Sequence, residues 1–166
     1  VPAQDLWTRV FAEVAKEYPD VKTDHAYIDA ACMWMVKNPE WFDVAVTGNM
    51  MGDIITDLGA AISGGLGVAA SGNIHPGKVS MFEPIHGSAP KHAGKGVICP
   101  IAALSATQMM LDFLGHEKAA ARLDTAITKA LTCGEIKSIA TSSGMSTSAY
   151  TDVVLKYLNK TAGVLA

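Results

Sequence analysis

Asn49-Met50-Met51-Gly52-Asp53-Ile54-Ile55-Thr56-Asp57-Leu58-Gly59 is the stretch on which the reading of this chain turns. Asp53 and Asp57 are four residues apart, so on a helix they share one face, with Cβ atoms about 6 Å apart. Two carboxylates so placed repel unless something positive lies between them. Mg²⁺ and Mn²⁺ take oxygen ligands, and often use one or two carboxylates together with substrate oxygens. A purely structural account competes. With Asn49 as N-cap, Asp53 falls in the first turn, where the helix dipole favours an acid, but Asp57 lies too deep for that benefit. For the pair alone the structural account is preferred, and the surrounding sequence reverses the order. Just upstream, Phe42-Asp43-Val44-Ala45-Val46-Thr47 reads as a buried strand feeding the helix.

Working back from the strand, residues 27–37 form an expected helix closed by Asn38-Pro39. It is apolar on nearly all sides apart from Asp29, as in a helix buried from both sides, often between subunits. Asp29 is thus either a helix-start acid or a carboxylate that needs a partner or a metal. Before it, apolar residues at 6, 7, 10, 11, 14 and 15 mark a helix over 6–18 ended by Pro19, and 21–25 has the composition of a short strand.

Downstream, the acidic helix runs to about Ile62. Ser63-Gly64-Gly65-Leu66-Gly67 and Ser71-Gly72-Asn73 read as turns that let a ligand or another backbone approach. They do not form the strand–GxGxxG–helix pattern of a Rossmann site. A strand over 78–84 feeds His86-Gly87-Ser88-Ala89-Pro90, which joins an imidazole, a hydroxyl and backbone N–H groups suited to a nucleotide; a loop histidine taken alone is more often incidental. Pro100 at N1 opens an apolar helix over 101–114 that Gly115 caps. An amphipathic helix over 117–132, a Ser/Thr/Gly-rich loop over 138–148 and a last helix over 147–158 follow. The mixed order of helices and strands places the chain in the α/β class.

The totals agree with this reading. At 166 residues, 49% hydrophobic and 17% charged, the chain can build a core for one domain or pieces of two. A net charge of −3 without a Lys/Arg cluster gives no nucleic-acid surface. Cys32, Cys99 and Cys133 are odd in number and widely spaced, which fits a reduced, cytoplasmic setting. No signal peptide and no membrane-spanning run is legible, so no membrane partner is expected. The opening Val1-Pro2-Ala3, without an initiator Met, reads as a segment of something longer.

Three motifs at their spacings carry a specific resemblance that covers essentially the whole chain: Tyr27-Ile28-Asp29-Ala30, Thr47-Gly48-Asn49 through Asp57, and Phe82-Glu83-Pro84-Ile85-His86-Gly87-Ser88-Ala89-Pro90. The sequence resembles the C-terminal half of the decarboxylating β-hydroxyacid dehydrogenases, the family of 3-isopropylmalate, isocitrate, homoisocitrate and tartrate dehydrogenases, and is closest to its isopropylmalate members. The resemblance implies Asp29, Asp53 and Asp57 as ligands of Mg²⁺ or Mn²⁺, with Asp29 and Asp53 at the catalytic centre. It implies that Asp29 serves the neighbouring subunit of an isologous homodimer. It implies a 2-hydroxy diacid substrate of leucine biosynthesis or a relative, oxidised and decarboxylated with NAD or NADP. In such enzymes the cation lowers the pKa of the substrate hydroxyl and then polarises the new ketone. Residues 1–62 would belong to the substrate and dimerisation domain, and 63–166 to the C-terminal part of the cofactor domain.

The cofactor side of the resemblance rests on Gly67, His86, Gly87, Ser88 and Ala89, with two departures. Lys91-His92 stands where NAD-type members carry an Asp and an apolar residue; a cation there suits the 2′-phosphate of NADP and brings isocitrate forward as second substrate. Cys99 stands where the family usually has an adenine-bonding Asn. The catalytic Lys and Tyr, the substrate-clamping Arg residues and the substrate-reading loop of the family match positions upstream of Val1, in the N-terminal half that would be this chain's partner. The 166 residues alone are therefore expected not to turn over. A non-catalytic assembly subunit of the same fold is the competing reading, and the three retained acids count against it.

Overall fold

The computed structural model describes residues 2–161. Two compact units divide at Thr47/Gly48. In the first, α1 (Pro2–Ala15) and α2 (Ile28–Lys37) are followed by a single 3-10 turn at Pro39–Trp41. The second helix falls where apolar periodicity predicts it, whereas the first overlaps its expected span of 6–18 but starts at Pro2 and ends at Ala15, before Pro19. The stripe of α1 remains open to solvent, with Leu6, Trp7, Val10 and Val14 about half exposed. In α2 Ala31 is buried, but Met33 and Val36 are more than half exposed, so the expectation of a helix buried on all sides is not met within this chain. A helix apolar all round needs a surface on each side, and this short unit supplies little beyond the Trp34–Trp41 ring pair, 6.2 Å between centroids.

Two expected strands in this unit are absent. Residues 42–47 have no regular structure and Val44 is 93% exposed; residues 21–25 are likewise irregular. β-branched composition supplies propensity, but a strand exists only as one side of a hydrogen-bonded ladder. Among the described residues, no second strand faces either segment.

The second unit holds α3 (Asn49–Ile62), β1 (Ala70–Asn73), β2 (Met81–Pro84), α4 (Ile101–Phe113), α5 (Glu117–Thr132) and α6 (Thr147–Thr161). The core lies between α4, α5 and α6, where Ile101, Leu123, Ala126, Ala130, Tyr150 and Val154 are buried together. α4 starts after Pro100, which is its N-cap rather than its first helical residue. It ends in a Schellman closure: Gly115, at φ 79°, donates to Asp112 O at 2.9 Å and His116 N–H to Leu111 O at 2.9 Å. α5 presents Ala120, Leu123, Ala126, Ile127 and Ala130 to the core, the i, i+3, i+4 stripe its sequence predicts. Beyond α5, Glu135 accepts from Lys156 Nζ at 2.7 Å and Tyr157 OH at 3.0 Å, which holds its carboxyl below the usual range.

The β1–β2 pair is antiparallel, with Gly72 opposite Phe82. Sequence reading places a turn, not a strand, at Ser71-Gly72-Asn73. The strand forms because Phe82 lies over the bare Gly72 backbone: a Cβ at Gly72 would sit 3.1 Å from two Phe82 ring carbons. The ring then reaches Phe113 of α4, 5.6 Å between centroids, and docks the hairpin on that helix. Gly72→Val is therefore expected to lower stability by about 1–3 kcal/mol through overpacking. A thermal melt checks this, and adding Phe82→Leu should recover part of the loss; an unchanged melting temperature would mean that the ring simply moves aside.

Candidate functional site

The acidic helix forms where the sequence places it, but its start differs. Gly48, at φ −74° and ψ 160°, is the N-cap, and Asn49 is already helical. Asp53 is therefore the fifth helical residue, and no acid lies in the first turn. The macrodipole account, which falls off within that turn, now covers neither Asp53 nor Asp57. Both carboxylates are exposed, one turn apart, while Ile55 and Ala60 point inward. Asn49 Nδ2 lies 3.5 Å from Asp53 Oδ2, at the limit of a hydrogen bond. Among the described residues no His, Cys, Asp or Glu side chains are gathered in threes around a possible metal position. The acidic helix thus offers two hard oxygen donors, a set that fits Mg²⁺ or Mn²⁺ with the remaining positions left to water and substrate. Asp29, in the first turn of α2, is exposed, and one of its oxygens accepts from its neighbour Ala30 N–H at 2.8 Å.

The second cluster follows the hairpin. Ile85 N–H donates to Ala69 O at 3.2 Å, which fixes where the chain leaves β2. From there the loop bonds mainly to itself. His86 Nδ1 lies 3.0 Å from Gly87 O, and His92, Ala93 and Lys95 N–H groups donate to carbonyls three residues back. Ala89 is left-handed at φ 45°, ψ 57°, the one non-glycine residue at positive φ among those described. It also precedes a proline, which further narrows its choices. Such conformations cost about 1–3 kcal/mol and gather at ligand sites. The sequence gives little warning of it, since Ala has no special preference for this region. A single 3-10 turn at Pro90–His92 follows, with Lys91 exposed and His92 half-buried.

Gly67 and Gly87 are informative because the fold does not demand them. Neither has positive φ; a Cβ at Gly87 would meet nothing within 4 Å, and one at Gly67 would make ordinary contacts with Ile139 and Cys99 at 3.5 and 3.7 Å. Open backbone without a packing reason suits close approach by a ligand. Gly67 O also accepts from Ala102 N–H at 3.0 Å, so the glycine turn seats the start of α4. Cys99 is different. It is 3% exposed and belongs to the core cluster, and burial pushes its thiol pKa up, partly offset by a hydrogen bond from the Ile101 backbone. Its packing brings it beside Gly67, while Ser88 and Lys91 are exposed. A buried thiol is a poor substitute for an amide that bonds a base.

Sequence reading missed two residues that hold this region. Thr147 Oγ1 donates to Ile98 O at 2.6 Å, and Tyr150 OH donates to Ser138 O at 2.7 Å. The only sequence signal is a Ser/Thr-rich segment, which specifies no partner 49 residues away.

Comparison with known proteins places these features in a lineage. The isocitrate/isopropylmalate dehydrogenase family model matches residues 1–154. A 3-isopropylmalate dehydrogenase of Frankia casuarinae is 53% identical over 131 residues, covering 78% of this chain and 38% of the relative. An isocitrate dehydrogenase structure from Methylococcus capsulatus superposes with a TM-score of 0.86 at 38% identity, over 93% of this chain and 46% of that one. A β-decarboxylating dehydrogenase from Thermococcus kodakarensis gives 0.79 at 30% identity, over 98% of this chain and 48% of that one. The chain thus spans less than half of each of these proteins, and its mixture of helices and a strand pair is the α/β architecture of this fold rather than a GxGxxG domain. The chain belongs to the isocitrate/isopropylmalate dehydrogenase family.

Proposed function

We propose that this chain is the acidic-helix and nucleotide-loop portion of a dehydrogenase that oxidises and decarboxylates a 2-hydroxy diacid, with 3-isopropylmalate of leucine biosynthesis the preferred substrate. The observation that carries the reading is the pair Asp53 and Asp57, exposed one turn apart on α3 in a chain 53% identical to a relative named for that substrate. A folding role does not account for two unpaired like charges on one face.

In this reading Asp53 and Asp57 hold Mg²⁺ or Mn²⁺, joined by Asp29 from a second subunit of a homodimer. When bound, the cation supplies Lewis acidity toward the substrate hydroxyl and the carbonyl that replaces it. The chain's own residues do the positioning. Asp53 and Asp57 fix the cation through hard carboxylate oxygens. The His86–Ala89 segment offers backbone N–H groups, an imidazole and a hydroxyl to the adenosine of NAD or NADP, and the bare backbones of Gly67 and Gly87 admit it closely. Lys91 and His92 lie one turn beyond, where a 2′-phosphate would meet the Lys91 ammonium. Three free, unclustered thiols fit a reducing cytoplasm.

Lys91 favours a specific second reading, isocitrate oxidation with NADP. One assay panel separates the two. The protein as its gene encodes it is given 3-isopropylmalate, isocitrate and tartrate, each with NAD and NADP and with Mn²⁺ or EDTA. The expected result is metal-dependent nicotinamide reduction with CO₂ release, at least about tenfold higher in kcat/KM on 3-isopropylmalate, a difference worth about 1.4 kcal/mol. A preference for isocitrate moves the reading to the alternative. No Mn²⁺ binding and no reduction on any substrate would replace both with the non-catalytic subunit. The 166-residue chain assayed alone should reduce neither cofactor, and turnover by it would overturn the assignment of the reacting base to another segment.

A further inference from the structure

The loop that leaves β2 is held at its entry by the hairpin ladder and by Ile85, but its interior bonds are local, each spanning three residues or fewer. Its far end is held from a distance. Thr147 N–H donates to Gly96 O at 2.8 Å, and Thr147 Oγ1 donates to Ile98 O at 2.6 Å. Among the described residues, the hydrogen bonds that tie 86–98 to anything C-terminal to α4 both come from Thr147.

The local chemistry shows that this residue is free for the task. The first N–H groups of a helix need partners outside it. At the start of α6, Ser146 Oγ accepts from Ala149 N–H at 3.2 Å and performs the capping. The Thr147 hydroxyl is not consumed by the cap, and its N–H is turned outward to Gly96. Below it α6 is anchored by Tyr150 and Val154 in the core, so the hydroxyl rests on a rigid base.

We propose that Thr147 is a positioning residue for nucleotide binding: it clamps the exit of the 86–98 loop, so that His86, Ser88 and Ala89 meet the adenosine already ordered. This rests on the reading of that loop as the cofactor site. A loop pinned at both ends has less freedom to lose when a ligand orders it. Removing the clamp therefore charges the ordering to the binding step. The left-handed Ala89 makes the clamp more consequential, because a loop held less firmly at its exit can relax that residue out of its strained conformation.

Thr147→Val keeps the shape and removes the hydroxyl, leaving Ile98 O without its donor; Thr147→Ser restores the donor. The test has two arms on the same proteins. Amide hydrogen exchange, without nucleotide, should show faster exchange across 86–98 in Thr147→Val, unchanged protection in α4 and α5, and recovery in Thr147→Ser. Titration with NADH and NADPH should show about a tenfold weaker dissociation constant for Thr147→Val, mostly recovered in Thr147→Ser. In the assayed enzyme KM for the cofactor should rise with kcat little changed. Unchanged exchange across 86–98 overturns the clamp. Faster exchange with unaltered nucleotide affinity overturns its role in binding. If the wild-type protein binds neither nucleotide while the exchange result stands, the cofactor reading of the loop fails and the proposal fails with it as a nucleotide device. Loss of protection throughout α4–α6 in both variants would overturn it in favour of a general stabilising role.

Discussion

Asp53→Asn should weaken Mn²⁺ binding by about a hundredfold or more while leaving the melting temperature unchanged or slightly raised. The two halves of that expectation come from the same geometry. Asp53 is exposed, its nearest hydrogen-bonding partner is Asn49 at the 3.5 Å limit, and Asp57 follows one turn later. No folding interaction depends on its charge, and removing one of two like charges at i, i+4 relieves a repulsion of a few tenths of a kcal/mol. For a hard divalent cation the same change replaces an anionic oxygen with a neutral amide. Outer partners of metal ligands already cost 10- to 100-fold when lost, so a ligand itself costs at least about the upper figure. Asp57→Asn should behave alike, and Asp29→Asn should weaken binding only in a sample that forms dimers. Titration of Mn²⁺ by electron paramagnetic resonance, paired with thermal melts, checks both halves. Wild-type affinity in Asp53→Asn would reduce the acidic face to solvated surface, whereas a large fall in stability would give the carboxylate a folding role that the structure does not contain.

That prediction was open to sequence reading because an i, i+4 acid pair is a local pattern. So were the amphipathic stripe of α5, whose Glu117–Thr132 span agrees at both ends, and the glycine closure of α4 at Gly115. Helices carry their specification within a few residues, through periodicity and caps. The strands do not. The 42–47 run has a strand's composition and no ladder, while Ala70–Asn73 has a turn's composition and pairs with Met81–Pro84. In both cases a distant partner decides: among the described residues none faces 42–47, and the Phe82 ring makes the bare Gly72 backbone an asset. The site shows the same division. The family was legible from residue types and spacing, and the acids and the His86–Ala89 segment stand out by the same signals as candidates only. The left-handed Ala89 was not legible, because Ala has no special preference for that region; nor were the burial of Cys99 and the grip of Thr147 on Ile98, which depend on contacts between segments far apart in sequence.

Tyr150 gives the largest expected effect on stability. Its side chain is fully buried and sits with Ile101 and Val154 at the centre of the second unit. Its hydroxyl donates to Ser138 O at 2.7 Å and meets Ser143 Oγ at 2.8 Å. Tyr150→Ala removes both the ring and the bond, and large-to-small changes of this kind cost about 3–5 kcal/mol, enough to unfold a marginal domain. Tyr150→Phe separates the two contributions. It keeps the ring and leaves the Ser138 carbonyl and Ser143 hydroxyl without this partner, at a cost of about 1–2 kcal/mol. For a chain of this size that lowers the melting temperature by roughly 3–8 °C. The two losses should also differ in place. In Tyr150→Phe, exchange should rise across 138–143 with the α4–α5 core still protected, whereas Tyr150→Ala should expose the core as well. If Tyr150→Phe melts with the wild type, the hydroxyl contributes nothing net. The 138–143 segment is then held by Ile139 and Met145, which pack against the same core as half-buried side chains, and the Ser/Thr-rich composition of that loop is a matter of solvation alone.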